Sequence, residues 1–132
     1  MCNMKNVFAA MLFLTPIILL GQDLNCCKTK KEVENNISGY WKIKDSISKI
    51  RYNFWFEKGQ GNLRILELIN NDYEYLVLDD HPFVDIIKKD VGFDLKFTDL
   101  YENRLANVKY LDSVKMVLKM DGKNIEYRKT KN

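Results

Sequence analysis

The sequence predicts an all-β fold, an antiparallel ribbon of about eight short strands that closes into a barrel or folds over as a sandwich. Three observations carry this. From Gly39 to Thr130, apolar side chains recur with a period of two, the spacing that places them on one face of a strand. Turn residues (Gly, Asn, Asp) break the chain about every 8 to 12 residues. After Gly39 no helical repeat is long enough for a core helix, so the crossover helices of a parallel sheet have no room.

Near the N-terminus, Met4-Lys5-Asn6 precedes an apolar run of 14 residues from Val7 to Leu20, followed by Gly21-Gln22. One basic residue, a short apolar run and a small residue form the pattern of an export signal. The run falls short of the roughly 18 to 20 residues that span a bilayer, and Pro16 interrupts it. Residues 1–22 therefore read as a signal peptide, 23–37 as a linker with a short helix, and 38–132 as the β domain. This places the protein outside the cytoplasm, periplasmic or secreted. Cys26 and Cys27 are neighbours in the linker. Adjacent cysteines bridge each other only in a strained geometry, so other roles are expected. They serve as thiols unpaired or paired between molecules, or Cys26 carries a lipid that tethers the chain to a membrane, or the two bind a metal. Against lipidation, Asp23-Leu24-Asn25 presents bulk and charge where a lipoprotein peptidase takes small residues. Against a metal, two thiols are too few and the single histidine, His81, is far off in sequence.

The elements then follow in order. Lys31 to Ile37 predicts a short helix, with Val33 and Ile37 on one side and Gly39 as its stop. Trp41 and Ile43 alternate with Lys42 and Lys44, and Tyr52, Phe54 and Phe56 with Asn53, Trp55 and Glu57. Lys58-Gly59-Gln60-Gly61-Asn62 is a turn, Leu63 to Ile69 the return strand, and Asn70-Asn71-Asp72 a second turn. Tyr73 to Asp79 and Val84 to Ile87 are strands around the Asp79-Asp80-His81-Pro82 break. Phe93, Leu95 and Phe97 alternate cleanly, and Ala106 to Leu111 continues the pattern. Val114 to Met120 pairs with Asn124 to Thr130 across Asp121-Gly122, a strong hairpin signal. Trp55, Leu66 and Leu68 put apolar side chains on the opposite face, which calls for a second layer outside the sheet or for a partner.

Without its leader the chain has about 110 residues, enough for one domain with a real core. Losing Lys5 leaves 20 basic residues against 18 acidic ones, scattered except at Lys28 to Lys31 and Arg128 to Lys131. No basic stripe interleaved with aromatics is present, which excludes a nucleic-acid binder. Catalysis has no foothold either. His81 precedes Pro82 in a turn, and no nucleophile motif, phosphate loop or paired metal-ligand set occurs. Asp79, Asp80 and Asp85 beside His81 read as a solvated turn, and no cofactor is called for.

Gly39-Tyr40-Trp41, after a short helix and opening the first strand, resembles the Gly-x-Trp signature of lipocalins and the wider calycin group. Residues 108–118, followed by Asp121-Gly122 and Tyr127-Arg128, are similar to the closing hairpin of bacterial lipocalin-like secreted domains. The resemblance implies an up-and-down antiparallel β-barrel of about eight strands. Gly39 would allow the sharp entry, Trp41 would plug the closed end, and Arg128 would lie over the indole. Thr98-Asp99-Leu100-Tyr101 only echoes the family's Thr-Asp-Tyr loop, and the chain is shorter than a typical lipocalin. The function implied is that of an exported, non-catalytic binding protein holding a small apolar ligand, lined by Phe54, Phe56, Tyr75, Val77, Phe97 and Met116. The alternative is a module that binds another protein, such as an inhibitor, an immunity-type protein or an envelope assembly subunit, with a barrel filled by its own side chains.

Overall fold

The computed structural model describes residues 24–69, 74–77 and 81–131, the second stretch by its backbone alone. The signal peptide read at 1–22, the turn at 70–72, Tyr73 and the Asp79-Asp80 pair lie outside the described residues. Among the described residues one helix, α1 (Lys30–Ile37), precedes β1 (Gly39–Ile43), β2 (Ile50–Glu57), β3 (Gln60–Ile69), β4 (Glu74–Val77), β5 (Phe83–Lys88), β6 (Phe93–Thr98), β7 (Asn103–Leu111), β8 (Lys115–Met120) and β9 (Lys123–Thr130).

The strands pair antiparallel in the order β2-β1-β9-β8-β7-β6-β5-β3, and β2 also pairs with β3. That contact closes an eight-stranded antiparallel barrel. The ninth strand is β4, and it shares β3 with β5. Gly61 and Asn62 of β3 face β5, whereas Leu66 to Ile69 face β4, so β4 and β5 lie end to end along one neighbour.

Local chemistry explains the strands. In β6, Phe93, Leu95 and Phe97 are buried while Asp94, Lys96 and Thr98 point outward. Lys58-Gly59 and Asp121-Gly122 both have two positive φ angles (51° and 80°; 51° and 76°), the backbone of a two-residue hairpin whose twist matches its strands. Within β7 the alternation is broken. The register against β8 shifts between Val108 and Tyr110, so Ala106, Val108 and Leu111 are the buried residues. A one-residue bulge produces that slip.

Helix α1 begins one residue earlier than predicted. Thr29 caps it by accepting a hydrogen bond from the Glu32 amide, and the Glu32 carboxylate takes the Thr29 hydroxyl in return. The segment read as a linker before the helix is packed against the fold. The Cys27 amide donates to the Leu24 carbonyl, and this tight turn sinks both Leu24 and Cys27 into the core. It also brings Cys26 and Cys27 into a disulfide with each other, correcting the expectation of separate thiols, a lipidated Cys26 or a metal pair. Asn36 of α1 donates to the Cys27 sulfur.

The helix stands at one end of the barrel, against β2, β5 and β7, with Val33 and Ile37 fully buried. There Trp41 is completely enclosed, and its indole N–H donates to the Ile37 carbonyl at 2.7 Å. The cation over the indole is Lys129, not Arg128. Its ammonium lies 5.0 Å from the ring centroid and donates to the Asn36 carbonyl at 2.9 Å. Side-chain parity is the reason. Trp41 is directly opposite Lys129 across β1 and β9, so both share the inner face, while Arg128 opposite Lys42 shares the outer one. There Arg128 pairs with Glu126 at 2.8 Å. Gly39 has φ +128°, and a Cβ on it would sit 3.3 Å from the Lys129 stem, so the glycine admits both the turn and the lysine.

Trp41→Ala should lower stability by about 3–5 kcal/mol in chemical denaturation. Lys129→Ala should cost about 1–2 kcal/mol through the lost cation–π contact and charged hydrogen bond. The exposed Arg128→Ala should cost less than about 1 kcal/mol. The reverse order for the two cations would place the seal on Arg128.

Candidate functional site

The barrel is filled at the helix end and open at the other. Trp41, Leu95, Leu111 and Met116 are almost wholly buried and occupy its lower half. Above them lies a cavity of about 470 Å³. Part of its wall is aromatic. Tyr52 and Tyr127 meet edge to face with ring centroids 5.5 Å apart, and Phe54 tilts against Phe97 at 6.4 Å. The rest of the apolar wall is aliphatic, formed by Ile43, Leu63, Ile65, Leu118, Met120 and Ile125. The rim carries Pro82, Asp99, Glu102 and Arg104.

Strand register sets these positions. Tyr127 lies opposite Ile43 and Met116, one inward rung along from the Trp41–Lys129 pair, and Tyr52 lies opposite Trp41 itself, so both tyrosines adjoin the floor that the indole makes. Tyr127 is 8% exposed, and neither its hydroxyl nor that of Tyr52 hydrogen-bonds to another described residue. Burial, and secondarily the neighbouring Tyr52, pushes the Tyr127 phenol up to about 12, and burial also raises Tyr52. Both are neutral at ordinary pH.

At the rim, Arg104 faces inward because it is paired with Phe97 across β6 and β7. Its Nε and Nη2 both reach Oε1 of Glu102 at 2.7 Å. Asp99 accepts the backbone amides of Tyr101 and Glu102 at 2.7 and 2.8 Å, which holds its carboxyl below the usual range and folds the loop back. Leu100 and Tyr101 on this loop and Ile47 on the β1–β2 loop stand out into solvent around the same opening.

Of the lining residues expected from sequence, the structure brings Phe54 and Phe97 together in the cavity wall. Phe56 and Met116 face inward but lie elsewhere. Phe56 covers Gly61, where a Cβ would run into its ring and the Val84 carbonyl, and Met116 packs in the lower core. The side chains of Tyr75 and Val77 are outside the described residues. Tyr52, Tyr127 and Arg104 were missed. Parity would have placed Tyr52 with Phe54, but depth within a barrel depends on stagger between strands, which no single strand encodes.

The outer face of β2, β3 and β5 carries a second cluster. The Arg64 guanidinium lies 4.9 Å from the Trp55 ring, His81 lies 5.6 Å from the same ring, and Phe83 lies 6.4 Å from His81. Phe83 remains 49% exposed. His81 is thus an aromatic neighbour on the surface. Among the described residues no group of three or more His, Cys, Asp or Glu is arranged to hold a metal. Compared with known protein families, curated proteins and solved structures, the chain matches none.

The Tyr127 shift fixes a pH dependence. A phenol raised from 10.0 to about 12 on folding contributes stability that is intact below pH 10 and lost as pH rises towards 12, because the unfolded chain releases its proton first. Unfolding midpoints measured across this window should fall less steeply in Tyr127→Phe than in wild type. Parallel slopes would show an ordinary, solvated tyrosine.

Proposed function

We propose that the protein is an exported, non-catalytic, lipocalin-like carrier that holds one small, largely apolar molecule inside its barrel. The observation that carries this reading is the open-ended cavity of about 470 Å³ above a sealed floor. Ligand pockets commonly measure about 300–1,000 Å³ and combine apolar walls with a few polar groups. Apolar loop tips around the opening suit the transfer of a poorly soluble molecule. The apolar run at 7–20 and the Cys26–Cys27 disulfide both favour an oxidising compartment, periplasmic or extracellular. With the Cys26 sulfur held in that disulfide, nothing further supports a lipid anchor.

A second reading, an interaction module, is favoured by the outer cluster of Trp55, Arg64, His81 and Phe83. Arginine and aromatic side chains are the residue types enriched at protein interfaces. A polypeptide that co-purifies in fixed ratio and is lost in Phe83→Ser, with the cavity's binding intact, would establish this second role.

The carrier reading is tested with N-phenyl-1-naphthylamine, whose fluorescence rises in apolar surroundings. Wild type should bind it saturably at one site. Met120→Trp, which crowds the upper wall, should weaken binding at least about tenfold with little change in melting temperature. Absence of saturable binding, or binding indifferent to Met120→Trp, would refute a cavity carrier.

A further inference from the structure

We propose that the cavity's occupant is a neutral molecule with a carbonyl oxygen on an apolar body, and that the Tyr127 hydroxyl, with Tyr52 beside it, donates the hydrogen bond that positions it. The inference rests on the carrier reading and specifies the ligand class. Tyr127 is more than nine-tenths buried, and its hydroxyl has no partner among the described residues. Yet no fully buried side-chain oxygen or nitrogen among them lacks a partner, so this oxygen must still be reachable from the cavity that Tyr127 lines. An apolar occupant would displace the water that reaches this hydroxyl and leave it unmatched, which is costly, and an occupant supplying an acceptor avoids that cost. The phenol keeps its proton far above neutral pH, so it is available as a donor.

Charge argues against an anionic ligand. Among the described residues Arg104 is the single cation lining the cavity, and both its Nε and Nη2 are committed to Glu102. With Asp99 and Glu102 against Arg104, the described lining carries one net negative charge. Lys129, the next inward residue of β9, turns its ammonium away to the Asn36 carbonyl and the Trp41 ring. A carboxylate beside Tyr127 would therefore sit in an apolar chamber without a counter-charge. A plain hydrocarbon would leave both phenols unmatched. A ketone, ester or amide carbonyl meets both conditions.

The test is displacement of N-phenyl-1-naphthylamine from the folded protein by methyl decanoate, decanoate ion and undecane. Methyl decanoate should compete best. Tyr127→Phe should weaken it about tenfold, the effect expected for one hydrogen bond, while undecane and the dye bind as before. Tyr52→Phe should have a smaller effect in the same direction. Losing an unpartnered hydroxyl removes no internal contact, and a melting curve for each variant confirms folding. Tighter binding of decanoate than of the ester, or an ester affinity unchanged in Tyr127→Phe, overturns the inference while leaving a carrier of another ligand. If the dye itself does not bind wild type, the carrier reading falls and takes this inference with it.

Discussion

The contact that organises the molecule is the meeting of Trp41, Lys129 and the C-terminal end of α1. A helix leaves its last carbonyls unsatisfied, and burying them without partners is costly. Here the Trp41 indole N–H takes the Ile37 carbonyl and the Lys129 ammonium takes the Asn36 carbonyl. The cation also suits the negative end of the helix dipole. One cluster therefore joins the first strand, the last strand and the helix. It holds the seam between β1 and β9 and seals the barrel's floor.

That floor divides the interior into two unlike halves. Below the tyrosines, large side chains meet rung by rung and exclude space. On their other side the inward side chains leave a chamber of about 470 Å³ that the tyrosines themselves line. Eight strands give a width at which either outcome is available, so the choice falls to individual residues and to strand stagger. The Lys109 bulge in β7 is one such choice, because it brings Leu111 rather than Tyr110 into the core opposite Met116.

The outer surface shows how the chain handles its surplus of apolar residues. Trp55 is covered partly by Arg64 and His81, so the second layer foreseen from the alternation is supplied in part by neighbouring side chains. Phe83 and Leu105 remain exposed beyond that cover. At the N-terminal side the segment before α1 becomes structural. Leu24 and Cys27 extend the core past the barrel, and the disulfide holds the turn between them.

Period-two alternation, paired turn residues and the lack of a long helical repeat determined the all-β class, the antiparallel order and the short leading helix, because these signals are local. Trp41 of the Gly39-Tyr40-Trp41 motif lies fully buried beside the end of α1. Tertiary structure alone decided that Lys129 rather than Arg128 covers the indole, since this depends on which residue of β9 faces Trp41 across a closure nearly ninety positions later in the chain. It also decided that Cys26 and Cys27 join each other and that Tyr52 and Tyr127 line the chamber while Phe56 and Met116 do not. Inward or outward orientation follows from position along one strand. Depth and partnership follow from register between strands, which exists only once the barrel has closed.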